Sequence, residues 1–270
     1  MTAEPNTDPT GTLSKLSLIL EHFTLEHPAR SLAELTRLSG LPKTSVFRVL
    51  KIAESCGLLS SSTHGYRPSL RLFELGMIAR EGLSFGTTLN DTVRKLAAEL
   101  DETIVAATID RKKMLYLAVA EPNRPLRVAA RAGSRRELLF GATGLMLLAA
   151  LPPESLPKYL PTKLPRYTAR TLVSRSGFLS RLRKIREEGY VVERGEYTRD
   201  LAGIAVPVPW TDSVHRFAPL TLVAVAPENR LTASLEKRTI KTLQRTAQML
   251  LGAARHINAG SADIAEIAGN

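Results

Sequence analysis

Residues 31–59 read SLAELTRLSGLPKTSVFRVLKIAESCGLL. Ser31 and Glu34 have the spacing of a capping box, in which hydroxyl and carboxylate each satisfy a backbone N–H left free at a helix start. Leu32, Leu35 and Leu38 line the inner face of a short helix, and Gly40 supplies the left-handed residue that closes it. Pro42, whose missing N–H costs nothing in a first turn, opens the next helix, and Gly57 ends it. Two short helices joined through a glycine-containing turn form a helix-turn-helix. The second carries Val46, Val49, Leu50 and Ala53 on one side and Lys43, Thr44, Phe47, Arg48 and Lys51 on the other. That outer face suits a helix lying in a major groove, where Arg forks onto guanine, Thr donates or accepts, and Lys meets phosphate. A solvated helix face would show the same charges, so the flanking sequence has to decide.

On the N-terminal side, Leu13, Leu16, Ile19, Leu20 and Phe23 make an amphipathic helical stripe that His27-Pro28 ends. On the C-terminal side, residues 58–62 and 66–68 flank a turn at Thr63-His64-Gly65 and read as a hairpin, the wing of a winged helix-turn-helix. Arg67 and Arg71 are placed to touch the sugar-phosphate backbone or the adjacent minor groove. His64 belongs to the turn, since no second ligand stands at a metal spacing nearby.

Composition sets limits on the rest. The chain has 270 residues, 44% hydrophobic and 23% charged, enough for two domains with their own cores. No run approaches the apolar length of a spanning helix, so no membrane crossing is expected. The first residues, MTAEPNTDPTGT, match neither a secretory signal nor an Arg-rich transit peptide, and the expected location is the cytoplasm. The single cysteine, Cys56, excludes an internal disulfide and a cysteine-rich zinc site, and it reads as a packing residue near the helix end.

The net charge is +11, yet residues 1–82 hold nine bases and eight acids, whereas residues 83–270 hold 28 bases and 18 acids. The bulk of the charge is therefore not an N-terminal nucleic-acid tail. Between Arg37 and Arg71, however, six bases face the single acid Glu54. That local excess falls on the second helix and the wing.

A helix over 69–81 (Leu70, Leu72, Phe73, Leu75) leads to a hinge at 81–86 with two glycines. Beyond it, Leu89, Val93, Leu96 and Leu100 form another helical stripe. Residues 103–109 and 114–120 are strands flanking a polar turn at 110–113, and 126–131 can add a third. A helix over 178–188, strands near 190–193, 201–208 and 220–226, and a terminal helix over 234–258 follow. The fold class expected is α+β, with a largely antiparallel sheet in the second domain. The base-rich run Arg181-Leu182-Arg183-Lys184-Ile185-Arg186 reads as the outer face of a solvated helix. Trp210 is expected at a sheet edge or a dimer surface.

LSKLSLILEHF, then residues 31–59, then GYRPSLRLFELG resemble the DNA-binding domain of IclR-type bacterial transcriptional regulators. VAARAGSRRELLFGATG, LRKIREEGYVVERGEY and LAGIAVPV extend the resemblance to the GAF-like effector domain of that family, so that it covers about residues 13–257. It implies that Lys43, Thr44, Ser45, Arg48 and Lys51 present the reading surface. With Ser31, Phe47, Arg67 and Arg71 these form the expected DNA-binding set. The implied division is a winged helix-turn-helix over 10–68, a linker helix and hinge over 69–86, an effector-binding and oligomerisation domain over 87–260, and a flexible tail over 261–270.

The family's pocket positions carry over unevenly. Gly141, Ala142 and Thr143 match the helix start whose N–H groups can hold a carboxylate. Leu145 stands where a basic residue is usual. Glu193 keeps an acidic position, Gly203 stands where Cys or Ser is usual just before the IAVPV run, whose first residue Ile204 joins the expected pocket set, and Val223 and Val225 replace polar positions. With three hydrogen-bonding side chains missing, the expected effector is an organic or aromatic acid or a compound less polar than a simple dicarboxylate, or there is none.

The function expected is a sequence-specific DNA-binding regulator, a repressor ahead of an activator, acting on double-stranded operator DNA as a homodimer or tetramer. No cofactor, metal or enzymatic activity is expected: GxSxG, P-loop, HExxH and CxxC patterns are absent, and the five histidines are scattered. The alternative is a GAF-like ligand-binding or protein-interaction module that no longer binds an operator.

Overall fold

The computed structural model describes residues 11–82, 86–124, 128–208 and 219–267. The chain divides into two compact units, residues 1–83 and 84–270.

In the first unit, α1 (Thr12–Leu20), α2 (Leu32–Ser39) and α3 (Lys43–Ser55) precede the hairpin β1 (Leu59–Ser62) and β2 (Gly65–Pro68), and α4 (Leu70–Gly82) follows. The capping box forms: Glu34 N–H donates to Ser31 Oγ at 3.2 Å, and Ser31 N–H donates to the Glu34 carboxylate at 2.9 Å. These bonds, with Arg30 beside them, hold the Glu34 carboxyl down at about 2. Gly40 closes α2 at φ 68°. Leu16, Ile19, Leu35, Val46, Val49, Leu50, Leu59 and Tyr66 make the core. α1 stops at Leu20, short of the expected Phe23, because Thr24 and His27 close a local turn through their own backbone groups. Cys56 is exposed rather than packed, since α3 ends there and Gly57 turns the chain away at φ 70°.

The wing is fixed to the start of α2 by a two-bond bridge between Arg30 and Tyr66. A Cβ on Gly65, at φ 107°, would lie 2.3 Å from the Arg30 carbonyl oxygen, so only glycine fits. Leu70, Phe73 and Ile78 of α4 and Leu13 of α1 are exposed.

The second unit is built on a six-stranded antiparallel sheet. Its strands are β3 (Thr103–Asp110), β4 (Lys113–Ala120), β5 (Arg135–Glu137), β6 (Val191–Arg194), β7 (Leu201–Pro207) and β8 (Leu220–Pro227), in the order β5-β4-β3-β8-β7-β6. One face packs on α6 (Gly141–Ala150) and α7 (Arg175–Glu188), the other on α5 (Gly86–Leu100) and α8 (Ala233–Ile267). The sheet is thus sandwiched, with a separate apolar core on each face.

Three expectations change here. The third strand is Arg135–Glu137, and 128–131 is irregular; Gly133 N–H donates to the Tyr116 carbonyl at 2.7 Å and so draws the chain onto β4 only after the turn. α8 continues to Ile267, past the expected end at 258, because its Ala-rich last turns contain no proline to stop them. The basic run of α7 is not wholly solvated. Arg186 donates to the Ala149 and Leu151 carbonyls, both at 2.8 Å, satisfying the C-terminus of α6, and Arg181 pairs with Glu196. Leu83, Ser84 and Phe85 of the hinge, Leu126 and Trp210 lie outside the described residues. Among the described residues no helix is long and apolar enough to cross a membrane.

Candidate nucleic-acid interface and ligand pocket

α3 turns Val46, Val49, Leu50 and Ala53 into the core, so helical periodicity leaves Lys43, Thr44, Phe47, Arg48 and Lys51 exposed and Ser45 half-buried. Lys43 and Arg48 have no ion-pair partner among the described residues. Lys51 Nζ lies 2.8 Å from Glu54, which raises the lysine pKa and lowers that of the carboxyl. Glu54 also accepts from Ser61 of the wing. Arg67 is exposed on β2, its Nε donating to Ser60 Oγ at 3.4 Å. Two of the expected contacts sit apart from this face. The Ser31 hydroxyl is committed to the capping box, donating to Glu34 at 2.8 Å. Arg71 lies beside Gly57, at the end of α3 opposite Lys43.

In the second unit a cavity of about 310 Å³ opens between the sheet and the first turn of α6. Gly141, Ala142, Thr143, Glu193, Gly203, Val223 and Val225 all line it. Ile204 does not. Along a strand successive side chains face opposite ways, and Ile204 is buried in the core against α5 and α8. Gly141 starts α6 at φ 61°. Gly203 faces Ala142 so closely that a Cβ there would lie 2.9 Å from the Ala142 methyl. The close approach of α6 thus leaves no room for a polar side chain at position 203.

Glu193 is the buried acid of the cavity. Its Oε1 accepts from the N–H groups of Glu196 at 2.6 Å and Tyr197 at 3.2 Å. Among the described residues its Oε2 accepts no hydrogen bond, and it lies near both Gly141 and Gly203. Burial raises this carboxyl to about 7, outweighing the two backbone donors. A carboxyl raised in this way holds its proton to higher pH than an exposed one, and in the protonated form it donates as well as accepts.

Sequence reasoning missed the cation of this pocket. Arg136, from the strand expected at residues 126–131, lines it with no ion-pair partner among the described residues. Val105, Tyr116 and Phe140 supply apolar wall, and Tyr197 closes it, its ring packed against Phe140 and 4.1 Å from that of Tyr167. Burial pushes the Tyr197 phenol well above its ordinary range. The alternation of Met114 and Tyr116 in β4 was the available signal for the wall. The Gly133-Ser134 turn just before Arg135 was the signal for the strand.

Residues 12–62 match the IclR helix-turn-helix domain, and residues 84–251 match the bacterial transcriptional regulator IclR C-terminal domain, the latter alone more than half of the chain. The chain belongs to the IclR family of bacterial transcriptional regulators. As an IclR-type protein it is a DNA-binding regulator with a C-terminal effector domain. The HTH-type transcriptional regulator KipR of Bacillus subtilis (strain 168) is 28% identical over 194 residues, 71% of this chain and 78% of that protein. The HTH-type transcriptional regulator Rv1719 of Mycobacterium tuberculosis is 30% identical over 200 residues, 68% of this chain and 76% of that protein. The crystal structure of an IclR homologue of Microbacterium hydrocarbonoxydans, complexed with 4-hydroxybenzoate, superposes with a TM-score of 0.75 at 23% identity, covering 91% of this chain and all of that one.

Proposed function

We propose that this IclR-type regulator is a cytoplasmic repressor without enzymatic activity, whose operator is read by α3 and whose occupancy is set by a small organic acid in the cavity beside α6. The observation that carries the operator half is the face of α3. Lys43 and Arg48 stand exposed on it, without an ion-pair partner among the described residues, beside a wing whose Arg67 is also exposed. Arg48 forks onto a base edge, Lys43 meets phosphate, and Arg67 contacts the backbone next to the groove. Repression requires only operator occupancy, whereas activation needs a further polymerase contact.

The effector class follows from the cavity. Arg136 and the N–H groups at the start of α6 supply positive potential for one carboxylate. The valine, phenylalanine and tyrosine walls suit an apolar body, and the partly protonated Glu193 suits a neutral polar group at its far end. A singly charged acid fits that set better than a hydrophilic diacid, and the homologue bound to 4-hydroxybenzoate supports the same class. The exposed apolar side chains Leu13, Leu70, Phe73 and Ile78 support dimerisation through the N-terminal unit, with a tetramer as the next level of assembly.

An effector that binds one DNA-spacing geometry of the dimer better than another shifts the population between them. The direct test is a gel shift of the full chain on its own upstream DNA at moderate salt, with and without small monocarboxylic acids. A sequence-dependent shift that an acid weakens is the expected outcome. No sequence-dependent shift removes the operator assignment.

A further inference from the structure

Phe47 is the one aromatic ring on the outer face of α3, and it is 47% exposed. It occupies the fifth position of the helix, within the N-terminal half that enters a groove in helix-turn-helix docking. Lys43 and Thr44 precede it by four and three residues and Lys51 follows by four, so all three share its side of the helix. Those neighbours can bond to phosphates or base edges. The ring can do neither. Its own unit leaves it unburied, since α3 turns Val46, Val49 and Ala53 into the core instead.

Lys51 Nζ stands 6.0 Å from the ring centroid while paired with Glu54. The ammonium nearest the ring is thereby tied back toward the wing. What remains beside Lys43, Thr44 and Lys51 is an exposed apolar surface. Of the groups displayed in the major groove of DNA, only the C5-methyl of thymine is apolar.

We propose that Phe47 reads the 5-methyl group of a thymine in each operator half-site. The inference rests on the operator assignment above and adds the base and the atom recognised. It makes Phe47 a specificity residue, separate from the cations that supply general affinity.

The test begins by selecting bound duplexes from a random pool with the full-length protein. Each thymine of the selected half-site is then replaced in turn by deoxyuridine, which removes only the methyl group. Affinity is measured for the wild-type chain, Phe47→Ala and Phe47→Leu. At one thymine per half-site the wild type should lose about fourfold on demethylation, the effect of burying one methyl-sized group. Phe47→Ala should bind the intact operator more weakly and be indifferent to demethylation at that position. Phe47→Leu should keep part of the sensitivity, which also shows that the helix still docks.

Absence of any methyl-sensitive thymine overturns the inference, as does a sensitivity that persists unchanged in Phe47→Ala. Either result leaves the operator assignment standing as long as a sequence is selected. Selection of no sequence at all removes the operator assignment and this inference with it.

Discussion

The backbone N–H of Glu196 donates to Glu193 Oε1 at 2.6 Å, which turns the other oxygen of that carboxyl toward the first turn of α6. One oxygen serves the loop after β6, and the other serves the cavity. Burial holds the proton on this carboxyl up to about 7. The folded chain therefore binds it more tightly than the unfolded chain, whose carboxyl titrates near 4.5. The sign follows directly: this group's contribution is most favourable below the unfolded value and is lost as pH rises toward 7. Glu193→Gln should flatten that decline, raising stability relative to wild type at about pH 8 by up to roughly 3 kcal/mol while changing little at about pH 5. Urea unfolding midpoints at the two pH values measure it.

Arg136 is expected to hold the effector carboxylate. Replacing it by Gln removes the charge and the guanidinium fork, and should weaken binding of a monocarboxylic acid about 10- to 100-fold. Calorimetry on a panel that includes benzoates and short aliphatic acids reads the change. Tighter binding of a hydrophilic diacid than of any monoacid in the wild type would contradict the proposed class.

Arg48 and Arg67 should fail in different ways. Arg48→Ala should cost about 1–3 kcal/mol on the operator and relax preference at one base pair, whereas Arg67→Ala should weaken all duplexes alike and flatten the salt dependence by about one unit. Anisotropy titrations on operator and random DNA over a range of salt separate the two. Equal losses on both DNAs from both variants would refute the division.

Gly65→Ala should open the wing. The added methyl group meets the Arg30 carbonyl at 2.3 Å in a left-handed backbone, and neither can yield without breaking the Arg30–Tyr66 bridge. A loss of about 3 kcal/mol in the N-terminal unit is expected, with faster hydrogen exchange at the Arg30 and Tyr66 amides. DNA affinity should fall with it.

The N-terminal unit was almost wholly legible in the sequence because its signals are local. Ser31 with Glu34, Gly40, Pro42 and Gly57 each act within one helical turn, and the apolar residues between them repeat at helical spacing. The second unit was legible in element type but less so in placement. The β5 position depends on Gly133 donating to Tyr116, a contact across seventeen residues that no periodicity announces. Misplacing that strand hid Arg136, so the pocket read as poorer in polar groups than it is. Ile204 was misassigned for a simpler reason: it adjoins Gly203, and strand geometry sends neighbours to opposite faces. The engagement of Arg186 with α6 was hidden because a charge run gives no clue to which members reach back over the fold.

That alternation has a consequence for how such regulators diverge. On β7 and β8, Gly203, Val223 and Val225 border the cavity, while Ile204, Leu222 and Ala224 pack beneath α5 and α8. Gly203 has no room for a side chain and Val223 belongs to the core against α6, but Val225 is only partly buried, so it can be exchanged to retune chemical selectivity without disturbing the residues beneath α5 and α8. A descendant of this protein could change which molecule it senses by a single substitution at the cavity edge of β8, and inherit the operator apparatus untouched.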